Sequence, residues 1–349
     1  LRFVNDNDPE DQYAVKVINK AAVANRVNGY LHDVMVPLVC DWNEDNNILK
    51  PLAWRLGDNK YRKCARDLRS RGKTIVDIPK DNWTSSLPAL SRAHVERQIR
   101  DAAEVDERFS GLIPVTSGHE MSRRSEGGFW SYPIIMYKFA PYGDVHEATL
   151  HAKFSTESSL EVLTFIRRML VALRQLHRRG YAHMDVKLEN VLAFGSGLYY
   201  LSDFGTACHV DEKDSDSVCG TNSYLPPEFW MMSNDSPNDK RDVFALGVAV
   251  YQLITCNHFW PVPMWSNLSE DSAFLAARKS SGDHVHQRYH NLRSHLERVS
   301  YYSDNLEGPL GHKEIILRML TGMLMQDPHA RKSSSELLHE FDDALLLNK

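Results

Sequence analysis

The chain is poor in cysteine, with five in 349 residues, at positions 40, 64, 208, 219 and 256. That is too few for a disulfide scaffold, and the odd number leaves at least one thiol unmatched within the chain. Basic residues do not predominate. Lysine and arginine number 41 against 46 aspartates and glutamates, a formal net charge of −5. The missing basic excess argues against a nucleic-acid partner. Long apolar runs are absent too. The longest, Val243 to Ile254, falls well short of the ~20 residues that span a bilayer, so no transmembrane segment is expected. Internal repeats and low-complexity linkers are also lacking. What remains is an ordinary globular composition, 42% hydrophobic and 25% charged, with length for one large domain or two lobes. The chain starts at Leu1 rather than Met, as a processed or trimmed chain would, and a targeting peptide would then lie outside it.

Asp8-Pro9-Glu10-Asp11 reads as a helix start, with an N-cap acid and proline at the first helical position. Ala14, Val17, Ile18, Ala21, Ala24, Val27, Leu31 and Val34 then follow three or four apart, predicting a helical N-terminal extension. Between residues 47 and 79, short apolar runs split by Gly57 and Arg71-Gly72 predict strands and tight turns. A helix is expected from about Leu90 to Val105 and a buried strand from Pro133 to Phe139. From Ser158 onward the pattern is helical. Leu160, Leu163, Ile166, Leu170, Leu173 and Leu176 form one stripe, closed by Arg178-Arg179-Gly180.

The chemistry is concentrated in two short motifs. His183-Met184-Asp185-Val186-Lys187-Leu188-Glu189-Asn190 precedes Asp203-Phe204-Gly205 by one hairpin-like segment. A carboxylate, a lysine two residues on and an amide five residues on can share one loop. In phosphoryl transfer these orient the hydroxyl, neutralise the moving group and hold a metal; the second aspartate chelates the same metal.

These motifs resemble the eukaryotic protein kinases from about residue 50 onward. Gly220-Thr221 through Pro226-Pro227-Glu228, Asp242 to Gly247, and Asp327-Pro328 with Arg331 extend the likeness. The resemblance implies catalytic roles for Asp185, Lys187 and Asn190, and metal ligation by Asp203 and Asn190. It implies that His183 stacks with Phe204, that Glu228 pairs with Arg331 and that Asp242 tethers the catalytic loop. Tyr137 to Ala140 would join two lobes, placing Tyr137, Phe139, Ala140 and Leu192 around a nucleotide. Asp144 would either meet the ribose or start a helix. The resemblance implies an α+β bilobal fold with a small antiparallel β-sheet lobe containing one main helix, over 50–140. A large, mainly α-helical lobe follows over 141–349, and the extension occupies 1–49. Lys187 resembles the serine/threonine class. Thr221 and Ser223 are candidate phosphate acceptors in the activation segment, although Met184 stands where many kinases carry an arginine.

The first lobe departs from the family. Kinases use a glycine-rich loop and a strand lysine paired with a helix glutamate. One placement takes Lys16 within Tyr13-Ala14-Val15-Lys16-Val17-Ile18, but Glu96 is then far beyond the usual separation. The favoured placement puts the loop at Leu56 to Cys64, where Gly57 is the single glycine, and the strand at Thr74 to Ile78. Lys80 then reaches the strand's face and Glu96 lies at the right distance. A lost glycine loop and an N-terminal extension look like the secreted rhoptry-type kinases of apicomplexan parasites, in the branch without that loop. The resemblance implies a soluble, secreted protein, and Cys208 and Cys219 would then form a disulfide across one loop. The expected function is a pseudokinase that binds a protein partner and requires no cofactor. The alternative is an active serine/threonine kinase using ATP and Mg²⁺ on a protein substrate.

Overall fold

The computed structural model describes residues 2–5, 8–18, 23–40, 46–83, 92–105, 131–151, 158–212, 220–230, 237–257, 259 and 306–347. Two compact units result. One comprises Leu1–Val39 with Leu49–Ala140, the other Cys40–Ile48 with Pro141–Lys349.

The first unit is built on a four-stranded antiparallel sheet. Strands β1 (Arg2–Asn5), β2 (Asp8–Val17), β3 (Ala53–Arg55) and β4 (Ile134–Lys138) lie in the order β1-β2-β4-β3. This corrects the helix expected from Asp8. Tyr13 and Val15 are buried at 9% and 3% exposure, with half-buried Gln12, Ala14 and Lys16 alternating between them. That period of two is the strand pattern. The three-or-four spacing through Ala14 and Val17 was coincidental, because pairing with distant β4, where Lys16 faces Ile135, overrides local preference. Helix α1 (Val23–Val39) takes up the same stripe only later, burying Val27, Tyr30, Leu31 and Val34 completely. β1, β2 and α1 therefore lie in the same compact unit as β3 and β4.

The stretch expected as glycine loop and strands differs as well. Helix α2 (Asn59–Ser70) occupies it, with the Asp58 carboxylate accepting from the Lys60 N–H at 3.0 Å and Tyr61, Ala65 and Leu68 buried. An N-cap acid and apolar residues at i, i+4 and i+7 form a helix signature. Residues 74–78 form no strand. Pro79 cannot donate to a ladder. Side chains do the joining instead: Asn82 Oδ1 accepts from Trp54 N at 2.6 Å, and Asp81 Oδ1 accepts from Leu56 N at 2.9 Å. Helix α3 spans Arg92–Val105.

The second unit is mainly helical. Asp144 caps α4 (Val145–Leu150) and Ser158 caps α5 (Ser159–Arg178), each by accepting a backbone N–H. Leu163, Ile166, Leu170, Leu173 and Leu176 of α5 are at most 2% exposed, and each contributes about 2 kcal/mol by burial. Leu160 of the expected stripe instead faces solvent, 63% exposed. Short strands β5 (Tyr181–Ala182) and β8 (Cys208–His209) pair, as do β6 (Val191–Gly195) and β7 (Leu198–Leu201). A short helix, α6 (Pro227–Trp230), precedes α7. Helix α7 (Asn238–Thr255) runs through the core, buried on nearly every side, with α8 (Leu310–Met323) and α9 (Ser334–Leu347) packed around it and α5. A Cβ on Gly247 would come within 2.9 Å of Met323 and Leu324 side chains, so the glycine permits the close approach of α7 to α8.

Candidate active site

The loop from His183 to Asn190 is clamped by one buried carboxylate. Asp242, 1% exposed on α7, accepts from His183 N at 2.7 Å and Met184 N at 2.8 Å. His177 Nε2 meets the same carboxylate at 2.9 Å, and its Nδ1 meets Ser334 Oγ at 3.0 Å. Such saturation by donors is what makes a carboxylate tolerable in a core. The His183 ring lies edge-on to Phe204 at 5.0 Å, and His183 Nε2 meets the Ser202 carbonyl at 2.9 Å.

Asp185 is the convergence point. Its Oδ1 accepts from Thr221 Oγ1 at 2.7 Å, and its Oδ2 accepts from Lys187 Nζ at 2.9 Å and Asn190 Nδ2 at 3.0 Å. Lys187 also donates to Thr221 Oγ1 at 2.8 Å. Thr221, a candidate phosphate acceptor in the sequence, thus has its hydroxyl held inside this network; nothing in the residue pattern alone distinguished the two roles. Ser223 lies in the 3-10 turn Asn222–Tyr224. The Tyr224 phenol donates to Gln252 Oε1 at 2.7 Å, and burial, with Glu189 nearby, pushes its pKa well up.

Asn190 spends Nδ2 on Asp185, leaving its amide oxygen as the atom suited to a hard cation. Its carbonyl accepts from Ser202 N and Oγ at 2.8 and 2.9 Å, so Asp203, the next residue, is tied to Asn190 through a single backbone step. Asp203 is exposed and adopts φ +60°, a left-handed conformation costing a non-glycine residue about 1–2 kcal/mol. Among the described residues, no three His, Cys, Asp or Glu side chains form a metal cage. The donor set at Asp203 and Asn190 fits Mg²⁺, which is held by few protein oxygens when phosphates complete its shell.

Gly220 adopts φ +102°, and a Cβ there would lie 2.5 Å from the Met184 carbonyl oxygen. Gly220→Ala is expected to destabilise by about 1–3 kcal/mol and to draw Thr221 away from Asp185. Urea denaturation reads the first effect; an unchanged midpoint would show that the backbone accommodates the methyl.

At the activation segment's far end, Glu228 grips Arg331 through two parallel bonds of 2.8 and 2.9 Å, with side chains 2% and 0% exposed. Cys208 Sγ accepts from Asn238 Nδ2 at 3.3 Å, while Cys219, its expected disulfide partner, lies outside the described residues.

In the first unit, Lys16 on β2 meets Asp33 on α1, Nζ to Oδ2, at 2.7 Å. The favoured alternative was Lys80 with Glu96. Lys80 is exposed and outside any strand, its carbonyl accepting from the Trp54 indole at 2.7 Å. Glu96 is on α3, its side chain outside the described residues. Asp33 departs from the family's pattern, which calls for a glutamate; its signal in the sequence is an acid beside the Val27, Leu31 and Val34 stripe. Tyr137 is a half-buried β4 residue opposite Ala14, and Phe139 N donates to the Gln12 carbonyl at 3.0 Å. Ala140, 6% exposed, ends the unit. Asp144 Oδ1 accepts from Glu147 N at 2.8 Å, the helix-starting role, and its backbone pairs with Leu192.

A strand lysine with a helix acid, and a tethered loop presenting Asp185, Lys187 and Asn190 before Asp-Phe-Gly, are marks of the protein-kinase fold. Residues 130–341, more than half of the chain, match the family described as "Protein kinase domain", and the chain belongs to that family. Its architecture is the kinase fold, with a small antiparallel-sheet N-lobe and a helical C-lobe. The chain is 31% identical over 182 residues to an Aurora kinase of Schizosaccharomyces pombe, covering 51% of this chain and 50% of the relative. It is 27% identical over 263 residues to an Aurora kinase of Yarrowia lipolytica, covering 72% and 65% respectively. Likeness to mitogen-activated protein kinase kinase kinase 17 of Arabidopsis thaliana is 26% over 249 residues, covering 71% and 60%. The chain thus spans about half to two thirds of the length of these curated relatives. No described helix is long and apolar enough to cross a membrane.

Proposed function

We propose that the chain is a serine/threonine protein kinase that transfers the γ-phosphoryl group of ATP, with Mg²⁺, to a protein hydroxyl. The supporting observation is the Asp185 carboxylate held by Lys187, Asn190 and Thr221. Its two oxygens have about four lone-pair sites, which leaves capacity to accept and orient an incoming hydroxyl. Lys187, beside Asp185, would offset charge on the phosphoryl oxygens. Asp203 and Asn190 would hold Mg²⁺, which when bound neutralises phosphate charge. In the N-lobe, Lys16, fixed by Asp33, supplies the cation that the family directs at the α- and β-phosphates.

The pseudokinase expectation drew on a lost glycine loop and a lysine displaced to Lys80; the Lys16–Asp33 pair supports the first reading instead. A second reading keeps the secreted, rhoptry-type pseudokinase that binds a protein partner without a cofactor. It is favoured by Asp33, one methylene shorter than the glutamate of the family's pair.

The two readings separate in one experiment. In the first, Lys16→Met lowers phosphate transfer to a generic protein substrate by about a hundredfold or more, while Lys80→Met leaves it unchanged. Mg-ATP at 100 times its Kd adds about 2.7 kcal/mol to thermal stability, and Asp203→Ala abolishes that gain. Absence of both transfer and stabilisation in the unmodified chain would establish the second reading.

A further inference from the structure

Helix α5 carries a polar face that the phosphoryl-transfer machinery does not use. Arg167, Arg168, Arg174 and Gln175 recur at spacings that share one side of a helix, and with Asn46 and Asn47 they line a cavity of about 520 Å³ in the C-lobe. None of the described lining residues is acidic. The space lies within the ~300–1,000 Å³ typical of small-molecule sites, and is far larger than the ~30 Å³ share of one water. Arg167 is held by Asp342 at 2.8 and 3.3 Å. Arg174 differs: its Nε is buried and has no hydrogen-bond partner among the described residues. A buried donor left unmade costs about 1–3 kcal/mol, and such a group calls for a ligand or water.

We propose that this cavity binds a multiply phosphorylated small molecule. Guanidinium forks match phosphate oxygens two at a time, with more geometric specificity than ammonium groups. The side-chain amides of Asn46, Asn47 and Gln175 can donate or accept, which suits the hydroxyls of a sugar or polyol carrying the phosphates. The size of the cavity favours such a molecule over a lone inorganic ion. With a net charge of −5 on the whole chain, attraction of a polyanion must arise locally rather than from a general basic field.

Titration calorimetry of the full chain with inositol hexakisphosphate, in EDTA to remove metal-assisted binding at Asp203, tests the site. One molecule is expected to bind. Arg174→Gln should weaken binding about ten- to hundredfold, Arg174→Lys should weaken it less, and Asp203→Ala should leave it unchanged. Removing an unmade buried donor should not lower the melting temperature, so the Gln variant stays folded. In the unmodified chain, the probe should slow amide exchange in peptides covering 46–48 and 164–175. No binding, binding indifferent to Arg174→Gln, or protection confined to other peptides would overturn the assignment. So would binding of a phosphoserine peptide without binding of inositol hexakisphosphate.

Discussion

Asp185→Asn keeps its fold and loses phosphoryl transfer by about 10²–10⁴-fold, the range for a positioned acid–base group. The replacement is nearly isosteric, and Thr221 Oγ1, now 2.7 Å from Oδ1, can still donate to an amide oxygen. The other oxygen accepts from both Lys187 and Asn190. An amide NH₂ in that position presents donors to donors, so Lys187 swings away and the incoming hydroxyl loses its acceptor. The Asp185 side chain is 16% exposed, which lets water satisfy the displaced groups and keeps the stability loss near 1 kcal/mol. Single-turnover transfer from ATP, with circular dichroism for folding, checks both parts. A folded Asn variant retaining transfer within about tenfold of the parent would remove Asp185 from the reaction.

The C-lobe site was legible because its residues are close in sequence. His183 to Asn190 is one loop, Asp203 follows a short hairpin, and type and spacing together carry the chemistry. Even Asp242, distant in sequence, sits at the start of a visibly apolar helix. The N-lobe was not legible, for physical reasons that differ by residue. Lys16 is a strand residue because β2 pairs with β4 more than a hundred positions away, which local periodicity cannot encode. Its partner is an aspartate on α1, whereas the glutamate that fits the family's pattern by type, Glu96, lies on α3. Gly57 signals a turn, but an acid after it fits a loop as well as the cap that starts α2, which is the role Asp58 has. Thr221 illustrates a third limit. A hydroxyl in an activation segment can accept phosphate or organise a catalytic aspartate, and only its distances to Asp185 and Lys187 separate the roles.

Arg331→Met is expected to cost about 3–5 kcal/mol, because it leaves an uncompensated buried carboxylate at Glu228. That is a large fraction of the ~5–15 kcal/mol total stability of a typical domain. Arg331 also donates to the carbonyls of Met325 at 3.0 Å and Lys240 at 2.8 Å, and both lose that donor. The double variant Glu228→Gln with Arg331→Met should recover part of the loss, since a neutral amide is less costly to bury than a charge. Urea denaturation of the three variants forms the test, and a double variant no more stable than Arg331→Met would mean that the stranded charge is not the cause. The consequence extends to chemistry. Glu228 is the second residue of α6, at the end of the stretch that starts with Gly220-Thr221, so the ion pair fixes the far end of the segment whose near end holds Thr221 against Asp185. Loosening that anchor should reduce transfer even where Arg331→Met remains mostly folded, and the double variant should restore activity in step with stability.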